Sequence, residues 1–251
     1  MTDFPSLIST DWLAEHLGEP GLVILDATRH LPDAGRDARA EYESAHIPGA
    51  RFLDLASLTD TASPVPQAMP SPQQFSKRLG ELGVTGDGRI VVYDDSALKT
   101  AARAWFMLVA YGLTEVAILD GGLAKWRSEG QPLESGEPEI ELGKPIALGP
   151  PERVRFKADI LANLETQAEQ VLDARSADRV FGSGTDPVHG GQNGRIPGSL
   201  NLPFGKVFNE DGTYISDTAQ LRGIFADAGV DLAKPIVTSC GSGVTDSDKS
   251  A

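Results

Sequence analysis

The sequence predicts an α/β protein of two tandem domains, each a mostly parallel sheet flanked by helices, with the second domain incomplete. Three observations predict it. Apolar runs of buried-strand type alternate with helical stripes along the chain. The second half repeats the first at a nearly constant offset. A Pro- and Gly-rich stretch separates the two halves.

The elements follow in order. STDWLAEHL (9–17) opens on capping-type residues and sets Trp12, Leu13 and Leu17 on one helical stripe. GLVILDA (21–27) is a short apolar run ending in Asp, the pattern of a strand buried on both faces. SPQQFSKRLGELG (71–83) has Ser71 as N-cap, Pro72 at the first helical position and Gly83 past the end. RIVVYDD (89–95) is a second buried strand, TAARAWFMLVAYG (100–112) an apolar helix closed by glycine, and EVAILDGG (115–122) a third strand. From Gln131 to Pro151 five prolines and three glycines break any periodicity, which marks a linker. Beyond it KADILANLETQ reads as a helix, QVLDARS as a strand, TAQLRGIFADAGV as a helix and PIVTS as a strand.

The repeat is specific. LDATRH (25–30) answers LDARSA (172–177) at an offset of 147, and HIPGARFLDL (46–55) answers RIPGSLNLPF (195–204) at 149. GVTGDGRIVVYD (83–94) answers GVDLAKPIVTSC (229–240) at 146. General α/β texture does not place IPG twice in register, so the chain reads as a tandem duplication. The domains are 1–132, a linker 133–151, and 152–251. In this register Cys240, the only cysteine, falls opposite Asp94, so one repeat alone carries a nucleophile. The first repeat continues past Asp94 through a helix, the strand AILD and GGLAKW. The second has eleven residues after Cys240 and lacks that last helix and strand.

The net charge of −14 argues against nucleic acid and anionic membrane as partners, since phosphate backbones need a basic face. No apolar run approaches the roughly 20 residues of a membrane span, and the N-terminus lacks the basic start and apolar core of a signal peptide. A lone cysteine forms no intrachain disulfide, which makes a reducing cytoplasm the expected compartment. Four scattered histidines and one cysteine have no metal-ligand spacing, and no cofactor is implied.

The chemistry centres on CGSGVT (240–245). A free cysteine is mostly protonated at neutral pH, and a nucleophile needs the thiolate. Small residues let successive backbone N–H groups turn toward a sulfur, and Gly241 and Gly243 take the backbone angles this demands. Ser242 and Thr245 add hydroxyl donors to the loop. A buried inert thiol is the plain alternative for Cys240.

Two repeats with IPG turns, a linker, and one cysteine in a loop after a buried strand resemble the tandem-domain sulfurtransferases of the rhodanese superfamily, from Ser9 to Thr245. HIPGA, VVYDDS, ARAW and LDGGLAKW in the first half fit the same family. The loop, with Gly241, Ser242, Gly243, Val244 and Thr245, is similar to that of the branch using 3-mercaptopyruvate; the thiosulfate-preferring branch places basic residues directly after the cysteine. The resemblance implies a cytoplasmic enzyme that moves sulfane sulfur from a small-molecule donor, 3-mercaptopyruvate or thiosulfate, onto Cys240. A thiol such as thioredoxin or glutathione, or cyanide, then takes it. It implies a catalytic second domain and a non-catalytic first. It suggests His46 near the site with an acid–base role beside Ser242, oriented by Asp37; a turn-bonding His46 and a solvated Asp37 are the plain alternatives. Arg179 matches one of two arginines the family uses for the donor carboxylate. The second falls at Val188, and Arg195, where the family has the histidine of HIPG, is a candidate replacement cation.

Two rivals remain. A cysteine phosphatase of related fold needs an arginine six positions after the cysteine, where this chain has Asp246. The other rival is a truncated, catalytically impaired chain or a binding module, because DSDKSA has no apolar periodicity where the family continues with an apolar helix under the loop.

Overall fold

The computed structural model describes residues 4–65, 67–151, 153–186, 188, 190–241 and 243. The chain divides into two compact units, residues 1–152 and 153–250.

Among the described residues the first unit holds five parallel strands: β1 (Leu7–Ile8), β2 (Leu22–Asp26), β3 (Arg51–Phe52), β4 (Arg89–Tyr93) and β5 (Val116–Leu119), in the order β1-β5-β4-β2-β3. β2 and β4 are central and covered on both faces. Val23, Ile24 and Leu25 and all of Ile90–Tyr93 are therefore buried, which explains runs that do not alternate. The helices are α1 (Thr10–His16), α2 (Ala38–Ser44), α3 (Pro72–Glu81), α4 (Ala101–Ala110) and α5 (Gly122–Ser128). Ser9 caps α1 by accepting Trp12 N–H, and Ser71 caps α3 by accepting Gln74 N–H, each at 3.1 Å. α4 is apolar on most faces because it lies in the interior, and Trp105 ties it to the sheet by donating to the Val116 carbonyl.

Residues 133–151 differ from a free linker. The backbone of Glu134 bonds His46 in both directions at 2.9 Å, Gly136 N–H reaches the Glu43 carbonyl, and Gly143 N–H the Gly80 carbonyl. Ser76 Oγ donates to the Ile146 carbonyl. The prolines and glycines stop helix and sheet, but Glu134, Gly136, Gly143 and Ile146 still bond the first unit through their backbones, and the stretch from 134 to 146 becomes a strap along it.

The second unit has α6 (Lys157–Thr166), β6 (Gln170–Asp173), α7 (Ala177–Phe181), β7 (Leu200–Asn201), α8 (Thr218–Asp227) and β8 (Ile236–Ser239). Its parallel sheet runs β7-β6-β8. With the repeat offset, β6, β7, α8 and β8 stand for β2, β3, α3 and β4. Among the described residues no strand pairs with the outer edge of β8, where β4 has β5. The core is correspondingly small: Leu172, Leu202 and Val230 are buried, with Leu200, Ile224, Phe225 and Ile236 packed against them part-exposed. α8 buries no residue fully, whereas α3 buries Phe75 and Leu79.

Backbone amides open locally where few apolar contacts hold an element. Hydrogen exchange should therefore be faster in α8 and β8 than in α3 and β4, read by mass spectrometry of peptides from each. Equal protection would contradict the packing difference.

Candidate active site

Cys240 follows β8 directly. The register pairs Asp173 with Ser239, and Ala174 N–H donates to the Ser239 carbonyl at 2.8 Å. The loops after β6 and after β8 thus leave the sheet side by side, at the carboxyl ends of parallel strands, where open α/β sheets place their chemistry. Cys240 is half-buried. The Gly243 N–H points at its sulfur, with N and Sγ 3.0 Å apart. That requires Gly243 at φ +69°, a left-handed conformation that side chains resist.

The loop after β6 carries a group that sequence reasoning missed. Asp173 accepts the N–H of Arg175 at 3.0 Å, a turn that Asp26 repeats in the first unit with Thr28. The same carboxylate grips the Arg175 guanidinium side-on through Nε and Nη2, with Nη2 to Oδ2 at 2.7 Å. Nη2 also donates to the Gly194 carbonyl. These bonds to Asp173, first among the causes, raise the Arg175 pKa above its ordinary value, and the fields of Asp173, Asp186 and Cys240 act in the same sense. Asn201 on β7 braces the turn by donating to the carbonyls of Asp173 and Arg175, each at 2.9 Å. The LDARS/LDATR repeat was the available signal for Arg175. It marked the turn, not the side chain.

Arg179, on α7, is held in the same manner. Its Nε and Nη2 donate to the two oxygens of Asp186 at 2.9 and 2.7 Å. Side-on pairing through Nε and Nη2 fixes the guanidinium plane and leaves the Nη1 end as a second donor edge. Asp186 also accepts Val188 N–H at 2.8 Å, so position 188 contributes an amide where the family pattern has a cation. Arg195 lies on the face of Phe181, 4.6 Å from the ring centroid, and donates weakly to the Ser199 carbonyl. Gly241 is exposed beside Cys240. Ser242, Val244 and Thr245 lie outside the described residues.

His46 and Asp37 belong to the first unit, and the expected link between them is not formed. Asp37 caps α2, accepting from Arg39 and Ala40 N–H at 3.0 and 3.1 Å. Its carboxylate serves as an ordinary N-cap. The His46 ring is fully buried, stacked on Tyr42 at 4.2 Å, and it is the Tyr42 carbonyl, 2.7 Å from Nδ1, that orients it. A ring nitrogen facing a carbonyl carries the proton, so Nε2 is the acceptor. It has no hydrogen-bond partner among the described residues.

A thiol with an amide aimed at its sulfur and a guanidinium on the neighbouring strand end suits negative charge on sulfur. The fold and site define a two-domain α/β protein with a thiol placed where a nucleophile can act. The rhodanese-like domain matches residues 9–129 and 157–251. The 3-mercaptopyruvate sulfurtransferase of Rattus norvegicus is 40% identical over 248 residues, covering 96% of this chain and 83% of the relative. The thiosulfate sulfurtransferase of Cricetulus griseus is 37% identical over 253 residues, with 96% and 83% covered. The crystal structure of SseA from Escherichia coli, a 3-mercaptopyruvate sulfotransferase, superposes with a TM-score of 0.87 at 40% identity, covering 97% of this chain and 91% of that one. The chain belongs to the rhodanese family. It is a sulfurtransferase, and the duplicated α/β architecture read from the repeat is the family's fold.

The first unit preserves the register of the site without its nucleophile. Asp94 replaces cysteine, and its Oδ2 accepts the N–H groups of Ser96 and Thr100, both at 3.0 Å. Burial, the largest cause, pushes its pKa to about 6 against the field of Lys99 and those two amides. The folded value lies above the ordinary 3.8, so the folded state binds the proton more tightly and stability falls as pH rises from about 4 to about 6, then levels. Asp94→Asn should remove that slope, while Asp26, also raised by burial, stays in both proteins. Denaturant unfolding between pH 4 and pH 7 checks it. An unchanged slope would contradict the assignment.

Proposed function

We propose that the chain takes sulfane sulfur from 3-mercaptopyruvate onto Cys240 and passes it to a small thiol, thioredoxin or cyanide. The Cys240 thiolate attacks the donor sulfur. An S–S bond forms as the C–S bond breaks, and the electron pair leaves with carbon as the enolate of pyruvate, which gains a proton. An acceptor thiolate then attacks the outer sulfur of the persulfide, forming its own S–S bond and returning Cys240 as thiolate. The amide of Gly243, 3.0 Å from Sγ, is the observation that carries this reading, because it favours the Cys240 thiolate that attacks the donor and that leaves again when the acceptor takes the outer sulfur.

The 40% identity to 3-mercaptopyruvate sulfurtransferases and the absence of basic residues directly after Cys240 favour mercaptopyruvate over thiosulfate as donor. Arg179, with its Nη1 end available beyond Asp186, is the proposed ligand of the donor carboxylate. Arg195 supports it as the second cation of the 179–195 segment. No helix among the described residues is long and apolar enough to cross a membrane. A cytoplasmic setting fits, since a reducing thiol pool supplies acceptors. The impaired-chain alternative receives no support from the comparisons, in which relatives covering nearly the whole chain are sulfurtransferases.

Cys240→Ser should abolish sulfide release from mercaptopyruvate with dithiothreitol as acceptor. Arg179→Gln should raise KM for mercaptopyruvate by about tenfold to a hundredfold, the loss of one charge-assisted contact, with a smaller effect on kcat. Turnover surviving in the serine variant would sink the mechanism; an unmoved KM would sink the role of Arg179.

A further inference from the structure

We propose that Arg175 is a positioning residue for the reaction: it supplies the positive charge that favours the thiolate form of Cys240. The proposal rests on Cys240 being the sulfur carrier. Three features of the second unit carry it. The β6–β8 register sets Asp173 beside Ser239 and bonds Ala174 N–H to the Ser239 carbonyl, so Arg175, two residues past Asp173, and Cys240, one past Ser239, leave the sheet in adjacent loops. The guanidinium is fixed on several sides: Asp173 takes Nε and Nη2, Gly194 takes Nη2 again, and Asp186 lies 3.9 Å from Nη1. It is also mostly shielded from solvent, at 14% side-chain exposure, where a fixed charge is screened less than on the surface.

Among the described residues, the elements flanking β8 carry one cluster of charged groups. From β6 and its loop come Asp173 and Arg175, and from α7 and the segment after it come Arg179 and Asp186. β7 brings Asn201, which is neutral, and the described part of the Cys240 loop brings only glycines. The two arginines and two aspartates sum to zero. The charge of Arg175 couples to Cys240, and a thiolate there loses that cation if it is removed while both aspartates stay. Removing the Asp186 charge leaves the cluster net positive. The two substitutions therefore shift the thiol in opposite directions, which no general loosening of the fold does.

The test is the pH dependence of Cys240 alkylation by iodoacetamide in the full chain, followed by mass spectrometry. Arg175→Gln should raise the pH midpoint by roughly half to one unit, as expected for removing one partly screened charge several ångströms away. Arg175→Lys should keep it near the wild type. Asp186→Asn should lower it. Unmoved midpoints in Arg175→Gln, with circular dichroism unchanged, would overturn the proposal. If that variant does not fold, an Asp186→Asn midpoint equal to or above the wild type overturns it instead. Alkylation reads the thiol without turnover, so a donor assignment that fails leaves this test intact. Full sulfur transfer by Cys240→Ser would instead remove the reading on which it rests.

Discussion

Asp173 faces Ser239 across the β6–β8 pairing, and its carboxylate both closes the turn after β6 and grips Arg175. The position of the reactive sulfur relative to any charge in the second unit depends on that register. A one-residue slip would turn Asp173 to the other face of the sheet, separate the turn from its guanidinium and carry Cys240 away from the loop of Arg175. Parallel strands release their chains at the same end. A nucleophile after one strand and a cation after its neighbour are therefore brought together by the sheet before any loop is specified.

The duplicated scaffold uses one cradle in two ways. In the second unit the loop after β8 directs an amide onto sulfur. In the first, the loop after β4 directs two amides onto the Asp94 carboxylate. A buried carboxylate fills the anion position there and, unlike a thiol, cannot accept sulfur. The first unit keeps greater packing too. α3 buries Phe75 and Leu79 and β4 has β5 on its far side, while α8 leaves its apolar residues part-exposed.

The sequence made the two-fold architecture legible because the repeat is carried by backbone demands. IPG turns, Asp-terminated strands and the glycines at 83 and 229, both at positive φ, recur for steric reasons that survive divergence. The cysteine loop was legible for the same reason. Short elements were not: α2 is capped by Asp37, which was read as a partner of His46 or a solvated loop charge, and α5 starts at Gly122, inside a segment read as strand. The stretch 133–151 read as a linker because proline and glycine show where regular structure stops, not where the backbone bonds next. Side-chain partners were least legible of all. The approach of Asp186 to Arg175 and Arg179 is set by the path of the loop between them, which residue types do not announce, and the Tyr42 carbonyl that orients His46, four residues back, is a backbone group that no residue type marks.

The central claim, that Cys240 carries the sulfur, is tested most directly by the mass of the intact chain after brief mixing with 3-mercaptopyruvate. The account predicts a gain of one sulfur atom, localised to the peptide containing Cys240 and lost on adding dithiothreitol. Sulfide release without any such adduct, or an adduct on another residue, would contradict it.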